Sequence, residues 1–179
     1  LYKEDSLIRF VYAGRFSKEK QLPNLIEAVR KIKSDMNFTL TLLGEGSEKE
    51  KLEIQIDKYD LQSVVKFRSW TNDVPEVFAN HDVFILPSAH EGYALVLLEA
   101  MASGMAIITT DVGCVGELVV HKEHGLVVDG SSGSIASAMW ELKSVYDLGK
   151  MGGENYQYVK SLQITQDEYA NKWRDTFML

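Results

Sequence analysis

Six short apolar runs recur along the chain: Leu7 to Tyr12, Phe38 to Leu43, Val64 to Phe67, Val83 to Leu86, Ala106 to Thr110 and Leu126 to Val128. They are continuous rather than alternating, the pattern of strands buried on both faces, and such strands belong to parallel sheets covered by helices. The segments between them read as helices. Leu22 to Ile32 places Leu22, Leu25, Ile26, Val29 and Ile32 on one face, with Pro23 in the first turn, where a missing N–H is tolerated. Ser47-Glu48-Lys49-Glu50 reads as a capping box opening a helix that carries Leu52, Ile54 and Ile56. Val74 to Ala79 and Leu95 to Ala102 are short helical segments, and Ser134 to Tyr146 and Gln166 to Phe177 are closing helices. Ser131-Ser132-Gly133 and Gly149 to Gly153 read as loop or cap signals. The alternation predicts an α/β fold with a doubly wound parallel sheet, whose ligands sit at the carboxyl ends of the strands. With 179 residues, no repeat and no linker, the chain is one domain's worth, long enough to bury a core.

One stretch concentrates chemistry at such a strand end. The run Asp82 to Leu86 leads into Pro87-Ser88-Ala89-His90-Glu91-Gly92-Tyr93, and the apolar segment through Glu99 and on to Gly104 follows. A helix opening just beyond Gly92 turns the backbone N–H groups of Tyr93, Ala94, Leu95 and Val96 toward the end of the sheet, a site for a phosphate anion. Glu91 and Glu99 flank that site, and ionised carboxylates accept strong hydrogen bonds from sugar and ribose hydroxyls. Phosphate, ribose and sugar together describe a nucleotide-sugar. Glu99 stands among Leu97, Leu98, Ala100, Met101 and Ala102, where an unpaired carboxylate is costly; a structural hydrogen bond is the other reading.

These residues resemble the retaining glycosyltransferases of family 4, which have the two-domain GT-B fold. That signature is Glu, seven residues, Glu, preceded by Pro-Ser and followed by Ala-Met-Ala-x-Gly, here Glu91 to Glu99 between Pro87-Ser88 and Ala100 to Gly104. Tyr12-Ala13-Gly14-Arg15-Phe16-Ser17-Lys18-Glu19-Lys20 matches the loop whose arginine and lysine grip the donor diphosphate, which assigns those places to Arg15 and Lys20. Thr110-Asp111-Val112-Gly113, Glu117 and Gly125-Leu126-Val127-Val128 follow in the expected order. The chain departs from the pattern at Gln21, near Ala94 and at Cys114, where glycines are usual, and at Ala106, where proline is.

The resemblance implies that residues 1–179 are the C-terminal, Rossmann-like, donor-binding half of a hexosyltransferase, without the N-terminal acceptor domain. It implies transfer with retention from a nucleoside diphosphate sugar to a hydroxyl, on a polysaccharide or lipid-linked acceptor, in the cytoplasm or at the inner face of the membrane. Arg15, Lys20 and Glu91 are the expected catalytic residues. Gly92, Tyr93, Ala94, Leu95 and Glu99 join them in donor binding, with no metal and no cofactor beyond the substrate. A nucleotide-sugar binding module and a sugar-nucleotide epimerase of related architecture are the alternatives.

Other classes fit less well. A net charge of −7 argues against nucleic acid as a partner, because such modules carry a basic face. Cys114 alone cannot form an internal disulfide, as in a reducing compartment. The apolar region from Tyr93 to Thr110 is broken by Glu99, Ser103 and Gly104, which argues against a membrane span. Gly44-Glu45-Gly46 imitates a dinucleotide fingerprint, but Lys49 takes the place of its third glycine; Gly44 reads as a wall of the site. No P-loop and no Asp-x-Asp pair is present. Trp70, after Arg68 and Ser69, reads as a base platform or as packing. His121 and His124 read as surface turn residues rather than metal ligands, and His90 as a site or loop residue. Tyr156, Tyr158, Tyr169 and Trp173 read as packing aromatics.

Overall fold

The computed structural model describes residues 6–162. Six parallel strands, β1 (Ile8–Ala13), β2 (Phe38–Leu43), β3 (Val65–Arg68), β4 (Val83–Leu86), β5 (Ala106–Thr110) and β6 (Gly125–Val128), form one sheet in the order β3-β2-β1-β4-β5-β6. Six helices accompany them: α1 (Leu22–Ile32), α2 (Lys49–Lys58), α3 (Val74–Ala79), α4 (Leu95–Ala102), α5 (Ser132–Val145) and α6 (Leu148–Ser161). This is the doubly wound, Rossmann-like sheet expected from the alternation. The order reverses between β1 and β4, and the loops leaving adjacent strands at such a switch point part to leave a crevice. All residues of β4 and β5 are buried, as continuous apolar strands under helices require. In β1 only Arg9 is exposed, and its guanidinium reaches the Asp82 carboxylate at 3.1 Å.

Local chemistry changes the reading at several places. The capping box at Ser47 does not form: α2 begins at Lys49 without a side-chain cap, and the N–H of Glu48 donates to the Phe16 carbonyl at 3.0 Å. Leu52 and Ile56 face the core, whereas Ile54, two residues from each, is 62 % exposed. Gly149 to Gly153 is not a loop but the opening of α6, capped by the Asp147 side chain, which accepts from the N–H of Lys150 at 3.0 Å. A Cβ on Gly152 would stand 1.9 Å from the Gly104 carbonyl oxygen, so this glycine lets a helix and a loop touch backbone to backbone. His124 is a buried residue rather than a surface one: Nδ1 accepts from the N–H of Val120 at 3.0 Å and the ring stacks on Tyr158. The segment Gln166 to Phe177, with Tyr169 and Trp173, lies outside the described residues.

Candidate functional site

The crevice is built by the loops leaving β1 and β4. Beyond β1, the N–H of Gly14 donates to the Leu43 carbonyl at 3.0 Å, and Lys18–Lys20 form a 3-10 turn. The turn ends at Gln21 in the left-handed region, φ 48°. The β2 loop lies so close that a Cβ on Gly44 would stand 2.0 Å from the Gly14 carbonyl oxygen. That contact makes Gly44 the wall expected of it. Beyond β4, the N–H of Ala89 donates to the Glu19 carbonyl at 2.7 Å and stitches the two loops together.

Lys20 and Glu91 meet across this stitch. Lys20 Nζ donates to Glu91 Oε1 at 2.6 Å, with side chains only 18 % and 12 % exposed. The same oxygen accepts from Ser88 Oγ at 2.6 Å. Ser88 is fully buried, and its carbonyl accepts from Thr110 Oγ1 at 2.5 Å. Tyr12 lies beneath, its hydroxyl donating to the Arg15 carbonyl at 2.8 Å. Burial above all, and then the Glu91 and Glu19 charges, push the Tyr12 phenol far above its ordinary range, so it stays a neutral donor.

The Lys20–Glu91 pair borders two lobes of the crevice, which also share Gly14 and Trp70. One lobe, of about 530 Å³, is largely apolar, with Tyr12, Val74, Pro75 and Phe78 along one wall and Ala94, Leu95 and Val96 along the other; Glu99 and Ser103 add polar groups. The other, of about 660 Å³, is the polar lobe in the side chains it carries, Arg15, Glu19, Glu45 and His90, with Gly44 and Gly92 beside them.

The residues singled out in the sequence therefore divide. Lys20 and Glu91 belong to both lobes, Arg15 and Gly92 to the polar one, and Ala94, Leu95 and Glu99 to the apolar one. Tyr93 borders neither lobe and packs partly buried against the core. The helix opens at Leu95, where its apolar segment was read to begin, and not just beyond Gly92, where the anion site was placed. Ala94, at φ 60°, precedes α4, whose first residue is Leu95. The Tyr93 carbonyl accepts from the N–H of Cys114 at 3.1 Å, and Gly113 passes so near that a Cβ there would stand 2.9 Å from that carbonyl oxygen. The first-turn N–H groups thus begin at Leu95. Trp70 is 55 % exposed at the mouth of both lobes, so it is not core packing.

Asn72, Val74, Pro75 and Phe78 were not foreseen in the site. Their segment follows β3, and the only signal for it was the rule that strand ends carry ligands. Among the described residues no set of three His, Cys, Asp or Glu side chains converges as a metal site, and no helix is long and apolar enough to cross a membrane.

Comparison with known proteins agrees with this fold. The profile of the family described as Glycosyl transferases group 1 matches residues 3–157. N-acetyl-alpha-D-glucosaminyl L-malate synthase of Bacillus anthracis is 29 % identical over 168 residues, 93 % of this chain but 44 % of that protein. The chain thus spans less than half the length of this relative. The C-terminal domain of a glycosyl transferase group 1 family protein (LpcC) from Francisella tularensis superposes with a TM-score of 0.79 at 29 % identity, covering 86 % of this chain and 85 % of that one. Alr3699/HepE of Anabaena, solved in complex with UDP and glucose, superposes with a TM-score of 0.80 at 23 % identity over 94 % of this chain and 48 % of that one.

Proposed function

The chain belongs to the glycosyl transferases group 1 family, and from that premise we propose that its crevice takes a nucleoside diphosphate sugar for hexosyl transfer with retention to a hydroxyl acceptor. The observation that carries this reading is the Lys20–Glu91 pair standing where an apolar and a polar lobe meet, at the switch point of the sheet. A nucleoside suits the apolar lobe, with Trp70 at its rim and Glu99 as acceptor for ribose hydroxyls. The diphosphate then lies toward Lys20 and Arg15, and the sugar beside Glu91 and Gly92 in the polar lobe. HepE, solved with UDP and glucose, supports this class of ligand.

Bond breaking leaves negative charge on the departing diphosphate. A guanidinium forks onto two phosphate oxygens and an ammonium adds a compact charge. Arg15, Lys20 and the first-turn N–H groups of α4 stabilise that charge by preorganisation. The transferase as a whole includes an acceptor domain before this one, which closes the crevice and orients the nucleophile. No metal is required by this arrangement, and glycan synthesis at the cytoplasmic side of a membrane is the setting it suits.

A thermal-shift panel of UDP, GDP, ADP and their glucose conjugates tests the reading, since a ligand that binds only the folded state raises its stability by mass action. At least one nucleotide and its conjugate raise the melting temperature of this chain, without transfer to any acceptor. A flat panel would remove the proposal. Transfer by the 179-residue chain alone would remove the need for a second domain, and alteration of the free conjugate would indicate an epimerase.

A further inference from the structure

Ser88 is one of the few polar side chains that is completely buried, and the chemistry proposed above gives it no task. Its hydroxyl donates to Glu91 Oε1 at 2.6 Å, the oxygen that also accepts from Lys20 Nζ at 2.6 Å. Its carbonyl is held in turn by Thr110 Oγ1 at 2.5 Å, from the end of β5. Thr110 is itself buried. Two hydrogen bonds therefore link the adjacent strand, through Ser88, to the carboxylate between the two lobes. One Glu91 oxygen receives both bonds; Oε2 receives neither.

We propose that Ser88, anchored by Thr110, is a positioning residue that presents Glu91 Oε2 to the transferred sugar and so sets the preference for the sugar conjugate over the bare diphosphate. This rests on the placement of the sugar beside Glu91. The physical reason lies in Lys20. Oε1 has two donors, so losing the Ser88 hydroxyl leaves Lys20 to hold the carboxylate. A diphosphate competes for the Lys20 ammonium, which bonds phosphate oxygens as readily as a carboxylate. Once Lys20 turns to phosphate, Ser88 is the donor that keeps Glu91 oriented. The hydroxyl thus matters more in the loaded site than in the empty one. It matters only when a sugar is there to use Oε2.

The test is calorimetric titration of Ser88→Ala with UDP and UDP-glucose, and in parallel with the GDP and ADP pairs. Ser88→Cys, nearly isosteric with a weak donor, serves as a second variant, and circular dichroism verifies folding. Binding of the glucose conjugate falls roughly tenfold, as expected for one hydrogen bond to a charged group. The bare diphosphate stays within about twofold, and the melting temperature of the free chain barely moves. In a Glu91→Gln background, Ser88→Ala adds no further loss. Equal losses for diphosphate and conjugate would make Ser88 a loop strut and overturn the proposal. So would a loss that persists undiminished beside Glu91→Gln. If Glu91→Gln alone changes neither ligand, the placement of the sugar fails instead. If no pair binds the parent chain, the reading of the crevice fails.

Discussion

Lys20 Nζ and Glu91 Oε1, 71 residues apart in sequence, stand 2.6 Å apart where two lobes of the crevice meet. The site thus sets its own cation on its own anion. A nucleoside diphosphate that recruits Lys20 must share it with Glu91 or displace it. Glu91→Gln keeps the side-chain shape and one acceptor but removes the charge that competes for the ammonium. The variant binds bare diphosphate at least as tightly as the parent chain and binds the sugar conjugate more weakly. Lys20→Ala and Arg15→Ala each weaken diphosphate binding by about 1.5–3 kcal/mol, the range for hydrogen bonds to charged groups, and leave the nucleoside unchanged. Calorimetric titration with nucleoside, diphosphate and conjugate separates these cases. Weaker diphosphate binding by Glu91→Gln would place Glu91 in the nucleotide site.

Gly152→Ala tests the contact between α6 and the turn before β5. Alanine is the better helix former, by about 1 kcal/mol over glycine. If Gly152 were there only by chance, the substitution would stabilise the chain. The added Cβ meets the Gly104 carbonyl oxygen at 1.9 Å, and backbone cannot turn aside as a side chain can. We expect destabilisation of about 1–3 kcal/mol, the range for overpacking, read from urea unfolding. A rise in stability would show that α6 does not sit as described.

These two sites also mark where the sequence could be read. Strands of continuous apolar residues and the amphipathic α1 announce themselves, because burial on both faces or on one stripe imposes a period. The carboxylates Glu91 and Glu99 were legible through their spacing within one signature. The Ser88–Glu91 bond lies within one loop, but the Lys20–Glu91 bond was not legible, because residues 71 apart meet only through the sheet order, which no local pattern encodes. Asn72 and Phe78 entered the site for the same reason. At Gly149 to Gly153, local chemistry pointed the wrong way. Glycines usually break a helix, yet α6 holds three, and at Gly152 the reason is a neighbouring backbone. Ala94 shows the opposite conflict. A residue with a Cβ holds the left-handed conformation at φ 60°, where the resembling family more often has glycine nearby.

Acid tests the cap of α5. The Asp129 carboxylate accepts from the Ser134 hydroxyl and from the N–H of Ser131 at 2.8 Å. The Ser134 bond first, and the Ser131 groups next, lower its pKa from 3.8 to about 2. A folded-state pKa below the unfolded value adds stability at pH above the unfolded value, and the gain is lost as pH falls through the folded one. The window is therefore pH 4 to 2. Asp129→Asn flattens this part of the curve of melting temperature against pH, while parent and variant keep a constant offset at neutral pH. Parallel curves between pH 4 and 2 would assign the acid sensitivity to other carboxylates.

Glu99 separates the nucleoside from the sugar. It lies on α4 and lines the apolar lobe, whereas Glu91 borders both lobes. Glu99 sits one turn into α4, whereas Glu91 lies in the loop before it, so the two carboxylates come to the crevice from different elements. If Glu99 accepts hydrogen bonds from the ribose hydroxyls, Glu99→Gln removes a charge-assisted acceptor from a group that diphosphate and conjugate share. Both ligands then lose the same affinity, about 1.5–3 kcal/mol, and their ratio stays that of the parent. Glu91→Gln changes the ratio instead. The 2′-deoxy form of the same diphosphate provides the control, since a ligand lacking a ribose hydroxyl already forgoes part of what Glu99 offers. Its affinity falls less on Glu99→Gln than that of the ribose form. If the deoxy and ribose forms lose equally, Glu99 supports the helix rather than the ligand, and the ribose must find its acceptor elsewhere in the apolar lobe.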